Sequence, residues 1–496
     1  MSRHILTSVL LLFTISAFSQ ITEREQYNQF KQQVHKEFTD FRNKCNAEYA
    51  AFLEQAWKSY EAGPIISKPK DETVPPVVMP KEDIDNPIDS NPVPIDNVVS
   101  PIEGNPQPQP KPIAPIYENT QPTADLLQFT FFGTECKVRM PKDQARSVEL
   151  QNTNLSNKAV SKAWEELSKG VYDNLIRDCI ELRIRLQLCD WAYLLMIREL
   201  SEKYYGGRSN AATMLMSWIY CQTGYQMRMA MASNKLYLLF GSKYTIYNWS
   251  YYNVDGTNFY PFLHDGENIR EIIQICDGAF PKEQAMSLYI PNAQLFAENL
   301  SPERTITSER YPEASAKVQV NKNLIDFYNT YPTSVIGENH CTRWAMYANT
   351  PMAKNIKEKL YPQLKNVIAG KSDLEAANIL LNWVQTGFEY EYDDKVWGGD
   401  RALFSEESLF YPYCDCEDRS ILYTRLVRDL LGLRSILVLY PGHLACAVQF
   451  KEQIEGDYVS LSGNRFTITD PTYIGAKVGR AMPDMDNKTA TVILLD

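Results

Sequence analysis

The stretch Tyr411-Pro412-Tyr413-Cys414-Asp415-Cys416-Glu417-Asp418-Arg419-Ser420 decides how the C-terminal part of this chain is read. It leads into Ile421 to Leu431, where Leu422, Leu426, Val427 and Leu430 share one helical face and Gly432 supplies the stop. Cys416 therefore falls at a helix N-terminus. Free backbone N–H groups and the helix dipole favour a thiolate there, so the expectation is a thiol of lowered pKa acting as a nucleophile. Glu417 and Asp418 are expected only to place favourable charge in the first helical turn.

Downstream, Ser435 to Tyr440 reads as a strand, Pro441-Gly442 as a turn, and His443 to Phe450 as a second strand. Period-2 alternation puts Leu444, Cys446, Val448 and Phe450 on a core face and His443, Ala445 and Ala447 on the other. Small alanines beside that histidine are expected to leave room for substrate, while Cys446 is assigned to the core. A third strand, Phe466 to Thr469, ends at Asp470-Pro471-Thr472. Asp470 shares the face of Phe466 and Ile468, where a buried carboxylate needs a donor, and an imidazole N–H is a natural one. His264 and His340 are read as structural or surface residues.

Cysteine at a helix start, histidine at a strand start and aspartate at the end of the next strand resemble the transglutaminase-like superfamily. Asp415-Cys416-Glu417-Asp418, Gly432-Leu433, Gly442-His443 and Asp470-Pro471-Thr472 carry the resemblance, over roughly residues 375–480. It implies a papain-like α+β core with Cys416 as nucleophile, His443 as base and acid, and Asp470 orienting His443. Tyr390 is the candidate upstream oxyanion donor beside the Cys416 N–H. The sequence departs from the family pattern at Cys414, Arg434-Ser435 and Ala445-Cys446, where glycine, Pro-Ala-Arg and an aromatic are usual.

Around this module the chain divides. Residues 1–19 read as an export signal, with Arg3, an apolar run from Ile5 to Phe18 and a cut near Gln20. The run is shorter than the ~20 residues needed to span a bilayer, so no transmembrane span is expected in the mature chain. Residues 20–63 read as one long amphipathic helix, Pro- and Gly-free until Gly63. Its apolar positions recur every eleven residues: Tyr27, Phe38, Tyr49 and Tyr60; Phe30, Phe41 and Phe52; Val34, Cys45 and Ala56. That stripe is expected to dock or to self-associate. Residues 64–122 hold 15 of the 28 prolines and read as a disordered linker.

Residues 123–310 read as a mixed α/β domain and residues 311–496 as the catalytic domain. Within the former, Arg208 to Phe240 resembles a degraded copy of Cys416 to Val448. Setting Gly224 on Gly432 puts Arg208 at the place of Cys416 and Lys235 at that of His443. Two readings stay open: an inactive transglutaminase-like repeat, or a coincidence of helix, glycine and strand. The Tyr-rich stretch from Tyr237 to Tyr260 is read as ordinary strand composition rather than a stacking platform.

A net charge of −11 carries no basic footprint, which sets nucleic acid aside. Ten cysteines are scattered, several in apolar helical runs, so a dense disulfide framework is not expected. No cofactor and no metal motif is assigned. The expected function is an exported, periplasmic or extracellular cysteine hydrolase, cutting a peptide or isopeptide amide, with a protein or cell-wall peptide as substrate. The alternatives are a protein-crosslinking acyltransferase and an inactive binding scaffold.

Overall fold

The computed structural model describes residues 4–69, 73–100, 108–118, 126–141, 150, 155–269, 271–337 and 339–496, with backbone alone for residues 4–22. Helices and sheets alternate along the chain in an α+β arrangement. Among the described residues no helix is long and apolar enough to cross a membrane.

The first helix runs His4–Gln55, so the stretch read as a signal is continuous with it. It stops short of the expected end, with no Pro or Gly to break it. Trp57–Tyr60 instead becomes an edge strand paired with Ile273–Cys276, where ladder hydrogen bonds replace further helical turns. From residue 23 on, where side chains are described, the buried positions of the helix are Arg42, Cys45, Asn46, Tyr49, Ala50 and Leu53. Tyr49 packs on Trp164 at 4.6 Å, the Trp164 indole N–H donates to Asn46 at 3.2 Å, and Arg42 pairs with Asp173 at 2.6 Å. Tyr27, Phe30, Phe38, Phe41 and Phe52 remain exposed, although Phe52 still packs against Gly278, so half of the eleven-residue stripe is left open to solvent.

Two six-stranded sheets organise the rest. The first runs, in spatial order, Trp57–Tyr60, Ile273–Cys276, Met227–Ala232, Lys235–Ser242, Thr257–Pro261, Tyr252–Val254. The second runs Asn97–Val99, Thr491–Leu494, Arg434–Tyr440, His443–Gln449, Asn464–Thr469, Tyr458–Leu461. Leaving out the outermost Trp57–Tyr60 and Asn97–Val99, the five remaining strands have the same spatial order and the same order along the chain, all antiparallel. In each half a helix ends at a left-handed glycine, Gly224 (φ 98°) or Gly432 (φ 67°), and feeds the central hairpin. A glycine is needed there because a Cβ would strain that conformation.

Of the Pro-rich segment, residues 64–69, 73–100 and 108–118 are described, and these do not run as a disordered linker; the rest of the expected linker lies outside the described residues. The described extended, proline-set backbone adds to existing edges instead. Val78 bridges Ile474, Pro92 bridges Tyr458, and Asn97–Val99 joins Thr491–Leu494 as a parallel edge strand. Val93 and Ile95 cover the outer face of the second sheet, where Ala445 and Ala447 are fully buried among Val438, Ile468 and Val492. The alanine face is thus a second core rather than open substrate space.

The two halves share one continuous hydrophobic core. The hairpin Arg304–Thr307 and Ser315–Val318 straddles the expected boundary at residue 310, and its Ile306 carbonyl accepts from the Trp383 indole at 3.0 Å. The hairpin's first strand therefore packs with the C-terminal half.

Candidate active site

The helix Cys416–Leu426 starts where two buried carboxylates cap it. The Asp418 side chain accepts from the Leu403 N–H at 2.7 Å and from the Asp415 N–H at 3.4 Å, satisfying donors near the helix start. The helix is tied to the strand His443–Gln449 by the Ser420 hydroxyl, which donates to the Leu444 carbonyl at 2.7 Å, and by the Leu444 N–H, which faces the Cys416 sulfur. This lacing places Cys416 beside the residue that follows His443.

His443 and Asp470 are both buried, with Nε2 and Oδ2 2.8 Å apart. The other Asp470 oxygen accepts from the Thr472 and Tyr473 N–H groups at 2.8 and 3.2 Å, so the turn after the strand fixes the carboxylate. With Nε2 engaged, Nδ1 is the nitrogen left for chemistry, and it has no hydrogen-bond partner among the described residues. The Tyr440 ring, the cross-strand neighbour of His443, stacks at 16° to the imidazole and restricts its orientation.

Cys416 and His443 line one cavity of about 360 Å³. Its wall also holds His340, Cys341, Trp344 and, from the Pro-rich segment, Thr73 and Asn97. His340, read from sequence as a surface residue, thus reaches the site, as does Cys341, 3.8 Å from its Nε2. The Trp344 indole N–H is buried without a partner among the described residues. Tyr390 is not in the cavity wall. It sits in a two-residue parallel pairing with Tyr413-Cys414, its ring under the Arg419 guanidinium, and its buried hydroxyl has no partner among the described residues. Burial first, then negative charge at Cys416, raises that hydroxyl's pKa and keeps it a neutral donor. Arg419 donates to the Gln385 and Phe388 carbonyls at 2.9 Å, anchoring this strand to the helix. Cys446 lies in the core, its sulfur on the Thr469 carbonyl at 3.1 Å.

The thiol departs from the sequence reading. Cys416 donates to Glu417 Oε2 at 3.2 Å. Burial, then the charges of Glu417 and Asp415, push its pKa well above the ordinary thiol value, outweighing the helix start. The expectation of a lowered pKa rested on local helix geometry and treated Asp415 to Asp418 as solvated. They are instead buried and gathered with Asp393 and Asp400. Donor atoms of Asp393, Asp400 and Glu417 come within 4.8 Å of one another, and so do those of Asp393, Asp415 and Asp418. Arg343 and Lys68 offset part of this charge, both on Asp400 Oδ2, at 2.8 and 3.0 Å. Burial and the Glu417 charge push the Asp393 carboxyl up to about 8. Nothing local in the sequence marks Asp393, Asp400, Arg343 or Lys68, because the fold brings them in from three separate segments.

Compared with known proteins, the chain matches no family model, no curated protein and no solved structure.

Proposed function

We propose that this chain is an exported cysteine hydrolase of transglutaminase-like, papain-like type, cleaving a peptide or isopeptide amide through a thioester on Cys416. One observation carries the reading: Cys416 and His443 line a single cavity while Asp470 holds His443 by Nε2, leaving Nδ1 without a partner.

Catalysis begins when the thiol turns from Glu417 to His443 Nδ1 and gives up its proton. The sulfur then attacks the substrate carbonyl. Cys416 and Trp344 line the cavity, and the Cys416 backbone N–H and the Trp344 indole N–H are the candidates to receive the oxyanion, with Tyr390 outside that wall. Asp470 stabilises the imidazolium, which protonates the leaving amine. Water, activated by His443, releases the acid. If a lysine amine takes the place of water, the product is a crosslink.

The thiol's contact with Glu417 rather than His443 is what an inactive scaffold would also show, although catalytic hydrogen bonds are often long before substrate binds. Turnover of a library of peptide and isopeptide amides, including cell-wall peptides, separates these readings. The wild type is expected to hydrolyse a subset and Cys416→Ala none. Equal activity in the two, or incorporation of an added amine in place of hydrolysis, would overturn the reading as stated.

A further inference from the structure

We propose that the first half of the chain carries a second ligand site, a degenerate counterpart of the catalytic cavity that binds the carboxylate of a short peptide.

The shared strand order locates it. The helix Asn210–Gln222 stands where Cys416–Leu426 does, and the strand Lys235–Ser242 where His443–Gln449 does. One of the two ties recurs. Asn210, first in its helix, accepts from the Leu236 N–H at 2.9 Å, as the sulfur of Cys416, also first in its helix, faces the Leu444 N–H. Asn210, and not the Arg208 of the ungapped alignment, therefore takes the nucleophile's place. Lys235 opens its strand as His443 does, and Phe262 follows Thr257–Pro261 as Asp470 follows Asn464–Thr469. None of these three residues supports thiol chemistry.

The place is nonetheless hollow. A cavity of about 430 Å³ opens at this helix start and hairpin turn, a size typical of small-ligand pockets. Arg198, Arg208 and Lys235 line it, with Glu202, Glu267 and His264. Lys235 forms no ion pair among the described residues. Arg198 is half-buried, donates to the Leu263 carbonyl at 3.2 Å and lies over the Phe262 ring. The acidic groups are already engaged, Glu202 with His264 at 2.7 Å and Glu267 with Arg208 at 3.5 Å. The Ser201 hydroxyl, in the cavity wall and 1% exposed, has no hydrogen-bond partner among the described residues. A buried orphan hydroxyl beside an unpaired lysine calls for a polar ligand.

Charge selects the ligand. In the cavity wall three fixed cations, Arg198, Arg208 and Lys235, meet two carboxylates, while Asp265 and Glu199 act on Arg198 and Glu271 on Tyr237 from outside the wall; burial and the Arg198 charge lower the His264 pKa, keeping it neutral at pH 7. The excess suits one carboxylate. A phosphate dianion would meet two glutamates, whereas those glutamates can accept from peptide N–H groups.

The test uses the full chain carrying Cys416→Ala, so that nothing is turned over. A pool of random tripeptides with free carboxylates, and the same pool as C-terminal amides, is followed by ligand-observed NMR. Lys235→Glu and Arg208→Glu are compared; both positions are exposed, so neither threatens the fold. The free-acid pool is expected to bind, with affinity lost by about tenfold or more in the amide pool and in each variant. No binding of the free-acid pool, equal binding of both pools, or unchanged binding in Lys235→Glu would overturn the proposal.

Discussion

Replacing Cys416 or His443 by alanine is expected to lower amide hydrolysis by at least ~10³-fold, and replacing both by little more than either alone. The structure gives the reason for the non-additivity. Cys416 and His443 line the same cavity and would share one proton transfer, so removing either already removes that step. Asp470→Asn should cost a comparable factor: with the side-chain oxygen still held by the Thr472 and Tyr473 N–H groups, the new NH2 faces His443 Nε2, which must then accept, and the proton moves to Nδ1 where the base is needed. Steady-state kinetics on the single and double variants measure this. Additive losses would show that the two residues do not act as a unit.

Glu417→Gln is expected to make Cys416 react with iodoacetamide faster, by about 10- to 100-fold near neutral pH. That range corresponds to removing one charged hydrogen-bond acceptor worth about 1.5–3 kcal/mol, with one pKa unit being about 1.4 kcal/mol. The sign follows from the geometry. A carboxylate 3.2 Å from the sulfur disfavours the thiolate, so a neutral amide of the same shape lowers the pKa and shifts the labelling curve to lower pH. Cys446, buried on the Thr469 carbonyl, should stay slow in both proteins and serves as the internal control. Labelling of Cys416 that is unchanged by the substitution would mean that Glu417 does not set its reactivity.

Where local signals agreed with tertiary context, the sequence was informative. The helix beginning at Cys416 was legible from its apolar face and the glycine beyond it, and Gly432 does close it in the left-handed conformation. The strands around His443 and before Asp470 were legible from alternation and turn residues. Three features were not. Trp57–Tyr60 continues a helical pattern and is turned into a strand by an edge offered from residue 273 onward. The prolines around Asn97 do suit an extended backbone, but the strand Thr491–Leu494 that it joins lies at the far end of the chain. The state of Cys416 depends on Glu417 and Asp415 folding inward beside Asp393 and Asp400, which no period or cap predicts.

The internal similarity shows the same division. Gly224 and Gly432 aligned the two halves well enough to bring Lys235 onto His443. The helix start, however, is shifted, and only the shared hydrogen bond to Leu236 or Leu444 identifies Asn210 as the counterpart of Cys416. A gapless alignment has no means of seeing that bond.

The most direct test of the thioester mechanism is the mass of the intact protein during turnover. Mixing wild-type chain with a hydrolysed peptide amide and quenching in acid should reveal a species heavier by the acyl portion of the substrate, mapped by peptide sequencing to Cys416. The same species should be missing from Cys416→Ala and should disappear on adding hydroxylamine, which cleaves thioesters. An acyl group found on another residue, or turnover with no acyl-enzyme in the wild type and undiminished turnover in Cys416→Ala, would contradict the account.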